Sequence, residues 1–162
     1  MTNILVALFA YFIDRVFGEF RFIKHPIIII GELITFFEDK FYKNSIFSGL
    51  LLVLFVLSLV SFISISIYLY LGEINDVLNI IISSFIASMF LAHRMLYDSV
   101  KEVLVSPNKQ EVISMLVSRD TEQMNESDIY KESIEIYVEH LSDGVISHLF
   151  YLTTVGLPGI II

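Results

Sequence analysis

The chain has 162 residues, of which 56% are hydrophobic and only 17% charged, with a mean hydropathy of +0.76. An ordinary soluble domain is about 45–50% apolar and about 25% charged, so this excess points to a membrane protein. The absence of cysteine excludes disulfides and thiolate metal sites, and the net charge of −8 argues against nucleic acid, whose partners present a basic surface.

In chain order, the first apolar run is Ile4 to Ile13. It is short for a full crossing and suits a thin span, a re-entrant segment or an interfacial helix. No basic n-region precedes it and no small-residue cleavage site follows, so a removable signal peptide is not expected. Asp14 comes next, at a membrane boundary where a carboxylate is costly unless paired or solvated; Arg15 or Arg21 could be its partner. Gly18 and Pro26 punctuate the polar stretch that follows. By spacing alone, His25 suits an interfacial histidine. Glu32 to Phe41 can form an amphipathic helix with Leu33, Phe36, Phe37 and Phe41 on its apolar side, lying on the headgroups.

Ile46 to Leu71 is free of charge and exceeds the roughly 20 residues that a hydrocarbon core requires. Gly72 to Asp76 reads as a turn. Val77 to Ala92 is a second charge-free run, in which Ser83, Ser84 and Ser88 offer small positions for helix packing. The two runs read as a transmembrane hairpin. Neither contains an ionisable residue, which argues against a transport pathway.

Arg94 to Val105 continues as a helix with Leu96, Val100, Val103 and Leu104 apolar. Arg94 itself suits a snorkelling anchor or a phosphate contact. Ser106-Pro107 predicts a new helix start, and that helix carries Val112, Ile113, Met115 and Leu116. It leads into Ser118-Arg119-Asp120-Thr121. Asn125 with Asp128 predicts a capping box for the next helix. On that helix Tyr130, Ile134, Tyr137 and Leu141 recur at helical spacing and predict the packed face. Asp128, Glu132, Glu135, Glu139 and Asp143 form an acidic stripe. Like charges at i, i+4 destabilise a helix by about 0.2–0.5 kcal/mol per pair, so the stripe needs water, basic partners or a divalent cation. Two readings stand: a solvated outer face, or a site where Glu135, Glu139 and Asp143 hold Mg²⁺ together with a substrate phosphate. His140 and His148 do not make a zinc pair. No Gly-rich phosphate loop and no nucleophile elbow is present. The last apolar run, Ser147 to Ile162, is interrupted by Pro158 with Gly156 and Gly159 beside it.

The basic residues fall into two groups, Arg15 to Lys43 and Arg94 to Lys131, and the 72–76 turn has none. The positive-inside rule then predicts that regions 14–45 and 93–146 are cytoplasmic and that the turn faces out.

Taken together, these motifs resemble the membrane-bound adenosylcobinamide-phosphate synthase family of cobalamin biosynthesis. The resemblance runs through Asp14, Gly18-Glu19-Phe20, His25-Pro26-Ile27, Gly31 and Glu38, then Leu91-Ala92-His93-Arg94-Met95-Leu96 and Ser118-Arg119-Asp120-Thr121. It ends with Glu135 to Phe150, including Glu139 and Asp143-Gly144, followed by Gly156-Leu157-Pro158-Gly159. The order of these motifs makes it specific. Phe20 and His148 stand where the family has Pro, and His140 where it has Asn. An Asn-Thr-Leu-Asp-Ser-Met motif and further membrane helices are expected beyond this stretch, so the chain resembles an N-terminal half.

The resemblance implies an all-α, polytopic helical membrane protein with cytoplasmic amphipathic helices, truncated relative to the family and placed in the inner membrane. It forms a single unit over 1–162 with apolar segments near 4–13, 46–71, 77–92 and 147–162. The implied activity is a carbon–nitrogen ligase that uses ATP and Mg²⁺ to join adenosylcobyric acid to aminopropanol or its phosphate. The implied catalytic set is Arg119, Asp120, Glu135, Glu139 and Asp143, with Asp14, His25, Arg94 and Thr121 binding substrate. The implied partners are the corrinoid and amine substrates, membrane lipid, and a C-terminal half or other cobalamin-assembly proteins, with no nucleic acid. A second class is also consistent: a non-catalytic membrane regulatory or assembly protein related to the beta-lactamase regulation proteins.

Overall fold

A computed structural model describes residues 2–18, 20, 24–41, 43, 45–118, 121 and 123–162. The described residues are helical, without strands, and fall into two packed groups.

The first group is built on small residues. Helix α1 (Thr2–Phe17) buries Val6, Ala7, Ala10 and Asp14, and α4 (Asp76–Ser88) buries Ser83, Ser84, Ala87 and Ser88. Side chains this small let two backbones approach closely, as helices do where lipid offers no hydrophobic drive. The serines return their hydroxyls to their own helix: Ser84 Oγ donates to the Ile80 carbonyl at 2.6 Å and Ser88 Oγ to the Phe85 carbonyl at 2.7 Å. The polar atoms of this interface thus stay satisfied. Leu152 of α8 (His148–Val155), with Leu157 and Ile160 of α9 (Leu157–Ile161), completes this core.

Helix α3 (Ile46–Gly72) has 27 residues, a length of roughly 40 Å at 1.5 Å per residue. The Ser45 side chain caps it by accepting from the Ser48 N–H at 3.2 Å. Its most apolar stretch has a mean hydropathy of 2.8 and is only 6% buried. A second stretch, Asp76–Val105, is also apolar enough to cross a membrane, with a mean hydropathy of 1.6. It is interrupted after Ser88, so that α5 (His93–Val105) starts afresh. Helix α2 (Pro26–Phe41) lies against the start of α3 and buries no residue. It begins six residues before the amphipathic segment expected from Glu32, because His25 and Pro26 form its start.

The second group joins α5, α6 (Lys109–Ser114) and α7 (Glu126–Leu141) around Leu96, Val103, Ile113, Ile129 and Ile136. Two expectations are corrected here. Ser106-Pro107 do not begin α6. The Ser106 hydroxyl accepts from the Asn108 N–H at 3.1 Å, closing a local turn, and the helix starts at Lys109. The packed face of α7 is also shifted by about one residue. Its buried residues are Ile129, Glu132, Ser133 and Ile136; of the expected face Tyr137 and Leu141 do pack against this core, whereas Tyr130 and Ile134 are exposed. The capping box at Asn125 and Asp128 is present in both directions. After α7, residues Ser142–Ser147 form a π-helical turn before α8. The break between α8 and α9 falls at Gly156, whose φ is +87°; Pro158 then sits in the first turn of α9. A Cβ at Gly156 would also meet Tyr68 Cε2 at 3.0 Å and Asn3 Nδ2 at 3.4 Å, so glycine answers both a backbone and a space requirement.

Candidate functional site

The interruption of the α4–α5 run creates the site. A helix start leaves backbone N–H groups without intrahelical partners, and Ala92, the residue at the cap of α5, has no side chain that can accept from them. Asp14 of α1 fills that role from another helix. Its Oδ2 accepts from the Arg94 N–H at 3.2 Å, and the His93 N–H points to it as well. A carboxylate there also complements the positive end of the α5 dipole. Of the two partners expected for Asp14, Arg21 lies outside the described residues; among the described residues the hydrogen-bond donors to Asp14 belong to α5 and not to Arg15.

Asp14 is 2% exposed. Burial pushes its carboxyl up from an ordinary value of 3.8 to about 6, against the lowering effect of the Arg94 and His93 N–H groups and the Arg94 charge. Asp14 lies outside both stretches long enough to span a bilayer.

Arg94 turns back across the end of α1. Its Nε donates to Asp98 Oδ2 at 2.7 Å and its Nη1 to the Arg15 carbonyl at 3.4 Å. Its stem lies on Gly18, where a Cβ would come within 2.8 Å of Arg94 Cγ. Gly18 has a φ of +64° and closes α1 by donating to the Asp14 carbonyl at 2.7 Å. A side chain here would strain the backbone and displace Arg94.

His25 completes the arrangement. Its Nδ1 accepts from the Ile27 N–H at 3.3 Å, and its carbonyl accepts from Ile28 and Ile29, so it caps α2. Asp14, Gly18, His25, Ser88 and Ala92 line one small cavity of about 80 Å³. Three sequence-predicted residues, Asp14, His25 and Arg94, are thus brought together from segments far apart in the chain.

The other predicted residues lie on the α5–α7 group. Gly144, in the π turn beside Asp143, faces Ala92; a Cβ on it would stand 3.6 Å from Ala92 Cβ. Asp143-Gly144 therefore approaches the wall of the Asp14 cavity. Asp143, Glu135 and Glu139 are exposed. Among the described residues no group of three or more His, Asp or Glu is arranged to hold a metal ion. Glu135 and Glu139, one helical turn apart, fit the lesser demand of Mg²⁺, which takes one or two carboxylates beside substrate phosphates. Thr121 is buried, and its carbonyl accepts from Gln110 Nε2 at 2.6 Å. Arg119 and Asp120 lie outside the described residues. The Nδ1 atoms of His140 and His148 each bond a nearby backbone carbonyl, that of Ile136 at 2.9 Å and that of Asp143 at 2.8 Å.

Two features escaped the sequence reading. His93 is buried edge-on to Tyr11, with ring centroids 5.3 Å apart, and its Nδ1 has no hydrogen-bond partner among the described residues. The π turn is the other; such turns often mark functional positions, and Gly144 in place of a larger residue is the only local hint.

The fold and site define an all-helical protein with two stretches able to cross a membrane and a carboxylate-capped helix break within the second. The chain belongs to the family described as CobD/Cbib protein, which matches residues 7–162. It is 33% identical over 159 residues to a probable cobalamin biosynthesis protein CobD of Pyrococcus furiosus, covering 94% of this chain and 54% of that protein. It is 29% identical over 166 residues to the cobalamin biosynthesis protein CobD of Halalkalibacterium halodurans, covering 96% and 51%. A probable cobalamin biosynthesis protein CobD of Methanococcus maripaludis is 32% identical over 173 residues, covering 98% and 56%. The chain thus spans about half the length of these relatives. No solved structure matches it. These matches do not favour the regulatory class related to the beta-lactamase regulation proteins.

Proposed function

We propose that the chain acts in cobalamin biosynthesis as the N-terminal half of a membrane-bound carbon–nitrogen ligase. It would join adenosylcobyric acid to aminopropanol or aminopropanol phosphate, with its polar regions on the cytoplasmic side of the inner membrane, where ATP is found. The observation that carries this reading is family membership across residues 7–162. Asp14 and His25 line one cavity, and Arg94 binds Asp14 through its backbone N–H; this supports the reading.

The reaction follows from the substrates. A propionate oxygen attacks the γ-phosphorus of ATP, giving an acyl phosphate and ADP. The amine nitrogen then attacks the acyl carbon, the C–N bond forms, phosphate leaves, and the nitrogen loses a proton. Negative charge gathers on the phosphoryl group in both steps, and cationic donors preorganised around it lower the barrier. Arg94 and Arg119 serve as clamps, because a guanidinium matches phosphate or carboxylate through two parallel N–H groups. Asp120, Glu135, Glu139 and Asp143 are the residues that would hold Mg²⁺ and position phosphate. Bound there, Mg²⁺ would supply neutralisation of phosphate charge. His25 contacts substrate or carries the amine proton, and Asp14 and Thr121 shape the binding site.

Growth of a bacterium lacking its own synthase, fed cobyric acid, tests the reading, with cobinamide as bypass control. The chain is supplied alone and with the C-terminal half of a relative. Rescue in either form is the expected result. No rescue in both, with the protein present in the membrane, would overturn it.

A further inference from the structure

We propose that the groove between α2 and the first half of α3 binds an anionic phospholipid, with Lys40 and Lys43 on its phosphate. The groove has a volume of about 940 Å³, far larger than the Asp14 cavity, and lies apart from it. Its wall is apolar and open: Phe47 is 67% exposed, Leu51 43% and Leu54 52%. Phe37 of α2 packs on Phe55 of α3, with ring centroids 5.3 Å apart, and fixes the angle between the helices.

Both lysines line this groove at its α2 end. Lys40 Nζ sits 4.6 Å from the centroid of the Phe36 ring. Lys24 and Lys109 are paired with carboxylates, but among the described residues neither Lys40 nor Lys43 is. Glu38 lines the neighbouring cleft, which Lys43 also borders, and Asp39 is exposed on α2; of the residues that line this groove, the charged ones are Lys40 and Lys43. Two cations at the head of an apolar wall match a molecule with a negative head and hydrocarbon tails. A free phosphate would meet the cations and leave the wall bare. The wall belongs to a helix long enough to cross the bilayer, and the lysines stand beside its start, the end of a span that would meet the headgroups.

The test uses the purified chain in mixed micelles containing phosphatidylglycerol or phosphatidylcholine, with lipid retention read by native mass spectrometry. Phosphatidylglycerol should be retained at least about tenfold more strongly, on the scale expected when two basic residues face an anionic lipid. K40Q/K43Q should abolish the preference, K40R/K43R should keep it, and Lys101→Gln, remote from the groove, should leave it unchanged. Equal retention of the two lipids by the unaltered chain overturns the proposal without recourse to any variant. So does full displacement by inorganic phosphate, or a dimer mass that excludes lipid, which would make a second copy the occupant. None of these readouts depends on ligase activity.

Discussion

The carboxylate of Asp14 accepts the backbone N–H of Arg94 at 3.2 Å, across 80 residues of sequence. One side chain therefore ends the isolation of a helix start and ties α1 to α5. Asp14→Leu should leave that N–H buried without a partner and lower stability by about 1–3 kcal/mol, with Asp14→Asn closer to the unaltered protein. Thermal unfolding in detergent measures this; a loss under about 0.5 kcal/mol for Asp14→Leu would show that the cap contributes little.

The same residue predicts a pH response. The folded carboxyl ionises near pH 6, while its ordinary value is 3.8. The folded state thus holds the proton more tightly, and Asp14's contribution to stability declines as pH rises through that window. Infrared titration should show a protonated-carboxyl band that disappears with a midpoint near 6 and is missing in Asp14→Asn. A midpoint at or below 4 would contradict the effect of burial.

Gly18→Ala should destabilise the protein by about 1–2 kcal/mol, because a Cβ meets both a left-handed backbone and the Arg94 stem. In the two-half rescue assay it should also slow growth, since Arg94 would move. Normal growth with normal stability would mean that the contact relaxes freely.

Gln110→Ala removes the donor at 2.6 Å from the Thr121 carbonyl. The expected stability loss is about 0.5–1.5 kcal/mol. If Thr121 binds substrate, rescue should fall more than that loss explains, and Gln110→Glu, which cannot donate to a carbonyl when ionised, should behave like the alanine variant. Rescue that tracks stability alone would remove Thr121 from the site.

On α7, Ile136→Ala should cost about 2–4 kcal/mol and Ile134→Ser less than about 0.5 kcal/mol. The exposures behind this are 7% and 65%. Reversed magnitudes would restore Tyr130 and Ile134 to the packed face that Tyr137 and Leu141 already share.

That pair shows where the sequence is legible. The span at Ile46–Leu71 is unambiguous because every side is apolar, and α3 ends one residue from it. Helix α7 carries Ile129, Tyr130, Ile134, Ile136, Tyr137 and Val138, so two overlapping faces satisfy the same period. The choice is made by Leu96, Val103 and Ile113 on the neighbouring helices, which local spacing does not contain. The site divides in the same way. Asp14, His25 and Arg94 could be named as candidates, but their meeting depends on a helix break at Met89–Ala92 that reads in the sequence as an uninterrupted apolar run.

The π turn at Ser142–Ser147 acts through residue count more than through side-chain chemistry. An α-helix advances about 100° per residue, so one surplus residue rotates everything beyond it by that angle. Upstream of the turn, Ile129 and Ile136 aim at α5; downstream, Leu149 and Leu152 aim at α1. One nearly continuous rod thus presents two differently clocked faces, like a shaft keyed at two angles. Deleting a single residue there would bring the keys into line and leave one of the two cores without its partner.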